Sequence, residues 1–118
     1  MAKTNKNGKA TSKTRTLVPR LTKKEAKKFL ARVPEQCVFW CNDGHVLRDI
    51  NELKDALAAM SDQTFCYHSN DEKQDFSNWI RDVVGDAKLA ESLETAPDRE
   101  NAARIVEERC SLLINKAG

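Results

Sequence analysis

The side chains best suited to proton transfer are a tyrosine, a histidine and an aspartate that lie close together in the sequence. Tyr67 and His68 are adjacent, and Asp75 follows seven positions after His68. A carboxylate that orients an imidazole is a common arrangement in general acid–base catalysis. The chain has, however, no elbow serine, no glycine-rich phosphate loop and no cysteine in an evidently cationic setting. We therefore expect no enzyme activity. Instead, we expect His68 or Asn70 to bond to backbone and Asp75 to hold a neighbouring element in place.

A second set of residues has the chemistry of zinc ligands, since tetrahedral zinc accepts Cys and His at all four positions. Its members are Cys37, Cys41, His45, Cys66 and His68. The spacing matches no zinc finger or ribbon, and an extended strand would hold Cys37 and Cys41 about 14 Å apart, at about 3.3 Å per residue. We therefore predict no metal and no cofactor. All four cysteines, including Cys110, are expected to be reduced thiols that are buried as small hydrophobes.

Basic residues are concentrated at the beginning of the chain. The first 32 residues contain eleven Lys or Arg and one acid, whereas the remaining 86 contain nine Lys or Arg and seventeen acids. The net charge of +2 thus combines a segment near +10 with one near −8. Lys and Arg bind nucleic acid without reading its sequence, because neutralised phosphates release counterions. The predicted nucleic-acid-binding residues are Lys3, Lys6, Lys9, Lys13, Arg15, Arg20, Lys23, Lys24, Lys27 and Lys28.

The partner of this basic region is predicted to be nucleic acid or an acidic protein surface, bound in a salt-sensitive way. No RNP, KH, zinc-finger or helix-turn-helix signature is present, which argues against sequence-specific recognition. The alternative is a protein-interaction or self-association module with no nucleic-acid role, in which the tail pairs with an acidic body. The longest apolar run is Val38–Cys41. Since neither a membrane span nor a signal peptide is visible, we expect a cytoplasmic or nucleoid-associated protein and no membrane partner.

The chain is predicted to divide into a disordered basic tail over residues 1–20 and a single domain over residues 21–118. Between Ala2 and Thr16 there is no apolar residue larger than alanine. Such a stretch cannot bury enough surface to offset its ordering entropy. The apolar residues Leu17, Val18 and Leu21, which flank a proline, are expected to dock the end of the tail onto the body.

The domain is predicted to be mainly α (α+β), with one short β-hairpin. Helix-start signals occur at Thr22 with Glu25, Asp49 with Glu52, Ser69 with Glu72, Asp86, and Thr95 with Asp98. Pro34 and Gly85 are expected to end helices, and Ser61-Asp62 to end the second helix or to start a turn. Asp43-Gly44 predicts a two-residue turn between strands near Cys37–Cys41 and His45–Leu47.

Apolar residues at helical and strand spacing predict the core. Its members are Phe29, Leu30, Phe39, Ile50, Leu53, Leu57, Phe65, Phe76, Trp79, Ile80, Val83, Leu89, Leu93, Ile105, Val106 and Leu113. Ile114 is also assigned to the buried stripe of the last helix. Trp79 is expected to be a core anchor, whereas Trp40 is expected to be partly exposed because it points away from Phe39 across the strand.

Residues 39–90 carry a series of motifs in a fixed order: an acidic-glycine turn, an amphipathic helix, then F-x-Y-H-x-N, D-F-x-x-W-I and G-D-x-x-L-A. The matching residues are Phe39, Asp43, Gly44, Leu47, Leu53, Leu57, Met60, Phe65, Tyr67, His68, Asn70, Asp75, Phe76, Trp79, Ile80, Gly85, Asp86, Leu89 and Ala90. In this pattern the segment resembles a small prokaryotic domain family of unknown function, although Gln74 stands where the family has asparagine. The resemblance implies a common fold and no activity. It singles out a structural or surface group, namely Tyr67, His68, Asn70, Asp75 and Trp79.

Overall fold

Six α-helices and one antiparallel hairpin follow one another along residues 20–118, the residues that this computed structural model describes. The helices are α1 (Lys23–Leu30), α2 (Ile50–Ala59), α3 (Asp62–His68), α4 (Asp75–Trp79), α5 (Ala87–Glu94) and α6 (Arg99–Ala117). The strands are β1 (Phe39–Trp40) and β2 (Val46–Leu47). A 3₁₀ turn, Glu35–Cys37, precedes β1, and a π-helical turn, Ile80–Val84, continues α4. The predicted mainly helical class with one short hairpin is confirmed.

Three of the predicted helix starts are present. The Thr22 hydroxyl accepts the N–H of Glu25 at 3.0 Å, and the Glu25 carboxylate accepts the N–H of Thr22 at 3.0 Å, which completes a capping box at α1. Asp49 accepts the N–H of Glu52 at 2.8 Å, and Asp86 caps α5 in the same way. These side chains stabilise the helices because the first N–H groups of a helix have no partner within it.

The predicted capping box at Ser69 and Glu72 is wrong. Ser69 directly follows α3 and pairs with Gln74 in an antiparallel bridge, and α4 begins only at Asp75. The side-chain oxygen of Asn70 accepts the N–H of Glu72 at 2.9 Å. An asparagine that bonds two residues ahead closes a turn, and this local bond replaces the helix start.

The start of the last helix also differs from the prediction. Asp98 itself is the N-cap and accepts the N–H of Asn101 at 2.8 Å, so Thr95 and Pro97 lie before the helix. The first helix, in turn, ends at Leu30 rather than at the proline that was expected to stop it.

Helix α3 was not predicted as an element. Ser61 caps it by accepting the N–H of Thr64 at 3.0 Å, although Ser61-Asp62 was predicted to end the second helix or to start a turn. The helix has seven residues, and its buried side chains are Thr64, Phe65 and His68. With one large apolar residue among those three, no apolar stripe marks the segment as helical.

The hairpin is shorter than predicted, with two residues in each strand and Phe39 opposite Leu47. The Cys41 N–H donates to the His45 carbonyl at 2.8 Å, and the Gly44 N–H donates to the Cys41 carbonyl at 2.9 Å. Gly44 has φ +97°, a conformation that favours glycine. The Cys41–His45 bond therefore closes a three-residue loop, Asn42–Gly44, that ends in a glycine bulge, rather than the predicted two-residue turn.

Helix α6 is the centre of the packing and contacts α1, α2 and α5. All but three predicted core residues are buried, and Leu30, Val83 and Ile105 lie partly buried at the edge. The assignment of Ile114 to the core is wrong: it is 51% exposed, because the neighbouring Leu113 occupies the face that packs inward. In residues 20–118, no helix is both long enough and apolar enough to cross a membrane.

Candidate functional site

His68 is buried where the hairpin, α3 and α4 meet. Its Nε2 accepts the backbone N–H of Asn42 at 2.9 Å, and its Nδ1 lies 3.1 Å from Oδ2 of Asp75. Because Nε2 accepts a hydrogen bond, the ring proton of the neutral imidazole is on Nδ1, which donates to the carboxylate. Both ring nitrogens are thus occupied by protein partners, and neither is free to exchange a proton with a substrate.

Aromatic rings surround this imidazole. The ring centroids of Tyr67, Phe39 and Phe76 lie 4.9, 5.0 and 5.2 Å from that of His68. At the surface, Lys73 Nζ lies 3.3 Å from Oδ2 of Asp75 and 4.1 Å from the centroid of the Tyr67 ring. The arrangement ties the hairpin to the helices: His68 donates a hydrogen bond to the Asp75 carboxylate, and Lys73 offsets its charge.

The other two residues of the group also bond to backbone. The side-chain amide of Asn70 donates to the Cys66 carbonyl at 2.8 Å, and the Trp79 indole N–H donates to the Cys37 carbonyl at 2.8 Å. Trp79 is 7% exposed, as expected of a core anchor, whereas Trp40 is 71% exposed, so both predictions are confirmed. The structure therefore brings Tyr67, His68 and Asp75 together with Lys73, and we call these four residues the His68 junction. Trp79 anchors the junction through Phe39, whose ring centroid lies 5.8 Å from that of Trp79, whereas Asn70 bonds only to the backbone of the neighbouring turn.

The second histidine has a different environment. His45 is on the hairpin loop, where its N–H and its Nδ1 each lie 3.0 Å from Oδ1 of Asp43. The backbone N–H of His45 is the main cause of a lowered pKa for Asp43. The side chain of His45 is 73% exposed, and this contact closes the loop locally without joining it to another element.

The four cysteines are free thiols in different environments. Burial raises the pKa of Cys41 and of Cys110 to about 11, with a smaller contribution at Cys41 from the charge of Asp43. Cys66, predicted to be buried, is exposed, because Phe65 takes the inward position of α3. Within residues 20–118, no three Cys, His, Asp or Glu side chains are grouped so that they could hold a metal ion.

Helix α1 presents a row of exposed lysines, which we call the lysine face: Lys23, Lys24, Lys27 and Lys28. Ala26 and Phe29 are buried on its opposite side, and α1 packs on α6. Among the described residues, no acidic side chain lies within ion-pair distance of these four lysines. Glu25, the acid in their midst, is bonded to Thr22 as part of the capping box. These charges are therefore available to a ligand.

The residues just before α1 and the end of α6 line an open groove of about 430 Å³, here called the α1–α6 groove; its lining residues are Arg20, Leu21, Leu112, Asn115 and Lys116. This packing places Lys116 on the same groove as Arg20. Lys116 was not among the predicted basic residues because it lies far from the basic segment along the chain, and no local signal in the sequence connects the two positions. Lys3, Lys6, Lys9, Lys13 and Arg15 lie outside the described residues.

An acidic groove of about 830 Å³ lies along α3 and the connection from α5 to α6. Its acidic lining residues are Asp62, Asp71, Glu94, Asp98 and Glu100. Arg99 is the basic residue of the lining, and its Nε donates to Asp62 at 2.8 Å. The surface here is consequently negative, in contrast to the lysine face.

Comparison of the chain with family profiles, curated proteins and solved structures finds no match. The resemblance of residues 39–90 to a family of unknown function therefore stays a prediction.

Proposed function

We propose that this protein is a non-enzymatic, sequence-independent binder of nucleic acid in the cytoplasm or nucleoid, acting through its basic tail and the lysine face. The observation that carries the proposal is that the four lysines of α1 are all exposed and have no acidic partner among residues 20–118. A surface cation that is already paired gains less from a phosphate than one that is not. The lysine face therefore favours a polyanion as the partner.

The spacing of these lysines suits a phosphate backbone. Residues four apart on a helix, such as Lys23 and Lys27 or Lys24 and Lys28, have Cβ atoms about 5–6 Å apart. The flexible lysine side chain can adjust to phosphates that it meets as point charges. The body beyond residue 32 carries a net charge near −8 and repels nucleic acid, so contact is restricted to the side of the molecule that carries α1.

The same helix explains why binding would be indifferent to sequence. Base recognition requires side chains such as Arg, Asn or Gln that reach base edges in a groove. Apart from Thr22 and Glu25, which bond to each other, the exposed residues from Thr22 to Lys28 are lysines. The helix has eight residues and packs against α6, which limits how far it can enter a groove.

Fluorescence anisotropy with mixed-sequence duplex DNA and RNA, at a series of salt concentrations, tests the proposal. For about six phosphate contacts, log affinity should fall with log salt with a slope near −5 on duplex DNA. In the full-length protein, changing both Lys24→Gln and Lys28→Gln should reduce the magnitude of that slope by about two. The matched control, Arg81→Gln with Arg104→Gln, removes the same charge from exposed positions that are paired with Glu94 and Glu108, and it should leave the slope unchanged.

Two results would contradict the proposal. One is the absence of binding by the full-length protein at low salt. The other is an equal effect of the two double variants, which would show that only the total charge matters.

A second candidate is a protein-interaction or self-association role without nucleic acid, favoured by the acidic groove along α3. Asp62 and Glu94 are paired with Arg99 and Arg81, which leaves Asp71, Asp98 and Glu100 without an ion-pair partner among residues 20–118. These three acids suit a basic segment, such as the tail of another molecule. Size-exclusion chromatography at low and high salt tests this role, because screened charges release such a partner. Assembly at low salt, combined with no binding to DNA or RNA, would replace the first proposal.

A further inference from the structure

We propose that the groove between β2 and α2 is a docking site for a short basic peptide of another protein, which binds in extended form along the outer edge of β2. This groove, here called the β2–α2 groove, has a volume of about 400 Å³, and its lining includes Asp43, Val46, Leu47, Asp55, Ala56 and Met60. It shares no residue with the lysine face or with the acidic groove along α3. Its occupation does not depend on nucleic-acid binding.

The backbone of β2 offers hydrogen bonds on the side away from β1. The Cys41 N–H donates to the His45 carbonyl at 2.8 Å, and Trp40 pairs with Val46 at the next position of the ladder. Because bonded and non-bonded pairs alternate in an antiparallel ladder, Val46 directs its N–H and its carbonyl away from β1. Neither group is bonded to the backbone of α2 or of a loop in residues 20–118. An extended peptide can therefore pair with Val46 as an added strand.

The floor of the groove is apolar. Leu47 and Met60 are buried, at 2% and 6% exposed, and Val46 and Ala56 lie partly buried beside them. Side chains of a strand alternate between its two faces, so a peptide that pairs with β2 can turn every second residue towards this floor. An aliphatic side chain gains free energy there by leaving water. The floor therefore favours a peptide with aliphatic residues at alternate positions.

The rim of the groove is acidic. Asp43, Glu52 and Asp55 belong to it, and among the lining residues His45 alone can carry a positive charge. The Asp55 side chain is 78% exposed, and its contact is with the neighbouring Lys54 at 3.7 Å. An exposed pair of this kind contributes little, so a cation of the partner can replace it. The rim repels phosphates and attracts Lys or Arg, and this charge complementarity selects a basic peptide over a nucleic acid.

Trp40 supplies a surface for a cation of the partner. Its side chain is 71% exposed, more than those of Leu112 and Ile114. As the direct pair of Val46, it stands on the same face of the hairpin. Strands in a sheet lie about 4.8 Å apart, so an added strand runs about 10 Å from β1, which an arginine side chain can span towards the indole. A guanidinium over a tryptophan ring is stabilised by a cation–π interaction, so the position favours arginine.

Nitrogen–proton NMR of the full-length protein tests the docking, with the synthetic peptide RVLVR as the probe. We expect the Trp40 indole signal and the Val46 amide signal to shift as the peptide is added up to about 1 mM, while the amide of the buried Val106 stays in place. One control peptide, EVLVE, reverses the charge. The other is RVLVR with methylated backbone nitrogens, which cannot pair as a strand. Both should bind at least about tenfold more weakly.

Variants with matched controls separate the parts of the groove. Trp40→Ala should weaken the binding of RVLVR about tenfold, and Leu112→Ala, at another exposed apolar position, should leave it unchanged. Asp55→Asn should weaken it about threefold, and Asp82→Asn, at an exposed aspartate outside the groove, should have no effect. The Val106 amide signal must stay in place in every variant, which separates loss of docking from loss of the fold.

The inference is wrong if RVLVR shifts neither groove signal at about 1 mM, or if a control peptide or control variant behaves like its counterpart. Trp40 and Val46 signals that move with protein concentration alone would assign the groove to a second copy of this chain and would also overturn it. So would a mixed-sequence DNA duplex that shifts the same two signals. Because the lysine face lies outside the groove, failure of peptide binding would leave the proposed function untouched, and failure of DNA binding would leave this inference untouched.

Discussion

The His68 junction and the lysine face use charged side chains in opposite ways. At the junction, His68 and Asp75 are bonded to each other, to backbone or to a lysine. On α1, four lysines point outward, and within residues 20–118 none has an acidic partner. The residues whose types resemble a catalytic group thus bind the fold together, whereas the chemically plain lysines are available to a ligand.

Burial is the cause of this difference. A buried polar group without a partner loses its hydrogen bonds to water, so His68 is stable inside only when both ring nitrogens are satisfied. An exposed lysine remains hydrated and needs no partner. Residue type therefore indicates what a side chain could do, while its surroundings decide whether it is free to do it.

The largest expected effect is at the anchor of the junction. Trp79→Ala removes a buried ring and its bond to the Cys37 carbonyl, and it should lower the free energy of unfolding by about 3–5 kcal/mol. Trp40→Ala, at a position 71% exposed, should change it by less than about 0.5 kcal/mol. Urea denaturation of the two variants measures both values. Equal losses would mean that the comparison between buried and exposed aromatics fails.

A smaller effect is expected at His68. His68→Leu leaves the Asn42 N–H and the Asp75 carboxylate without this partner, and it should cost about 1–3 kcal/mol of unfolding free energy. His45→Leu, on the exposed loop, should cost less than about 0.5 kcal/mol. Nitrogen NMR of the unmodified protein should show the His68 proton on Nδ1. A proton on Nε2 would contradict the assigned role.

Two lysines allow the two regions to be separated directly. Lys73→Gln removes an ion pair at a side chain 40% exposed, and it should cost less than about 1 kcal/mol while leaving DNA binding unchanged. Lys27→Gln should leave stability unchanged and lower the magnitude of the salt slope by about 0.9. Thermal unfolding and anisotropy on the same two variants make the test. A salt slope that responds to Lys73→Gln would show that the junction also contacts the ligand.

The smallest expected effect is the acid sensitivity of α6. The N–H and side chain of Asn101 lower the pKa of Asp98, so the stabilisation is present above the unfolded value of about 3.9 and is lost as pH falls through the lower folded value. Asp98→Asn keeps an N-cap acceptor that does not titrate. Its stability should therefore decline less below about pH 4, with little change at neutral pH. Acid titrations of the unmodified protein and of Asp98→Asn, monitored by circular dichroism, measure this difference. Identical curves would show that Asp98 has no such role.

Local signals predicted much of the fold. The caps at Thr22, Asp49 and Asp86 were recognisable because the bond spans only three residues. The same spacing misled at Ser69, where the side chain of Asn70 closes a turn instead. Helix α3 escaped prediction because its inward face includes Thr64 and His68 rather than a run of apolar residues.

The sequence by itself determined the helical class, most of the core and the separation of positive from negative charge, because these follow from composition and short-range periodicity. Only the tertiary structure decided that His68 bonds to Asn42, 26 residues away, and that Lys116 and Arg20 line one groove. It likewise decided that Cys66 and Ile114 face outward. Each of these outcomes depends on which of two neighbouring positions packs inward, or on contacts between distant segments. Such choices are made when the helices pack together, since the local pattern is compatible with either.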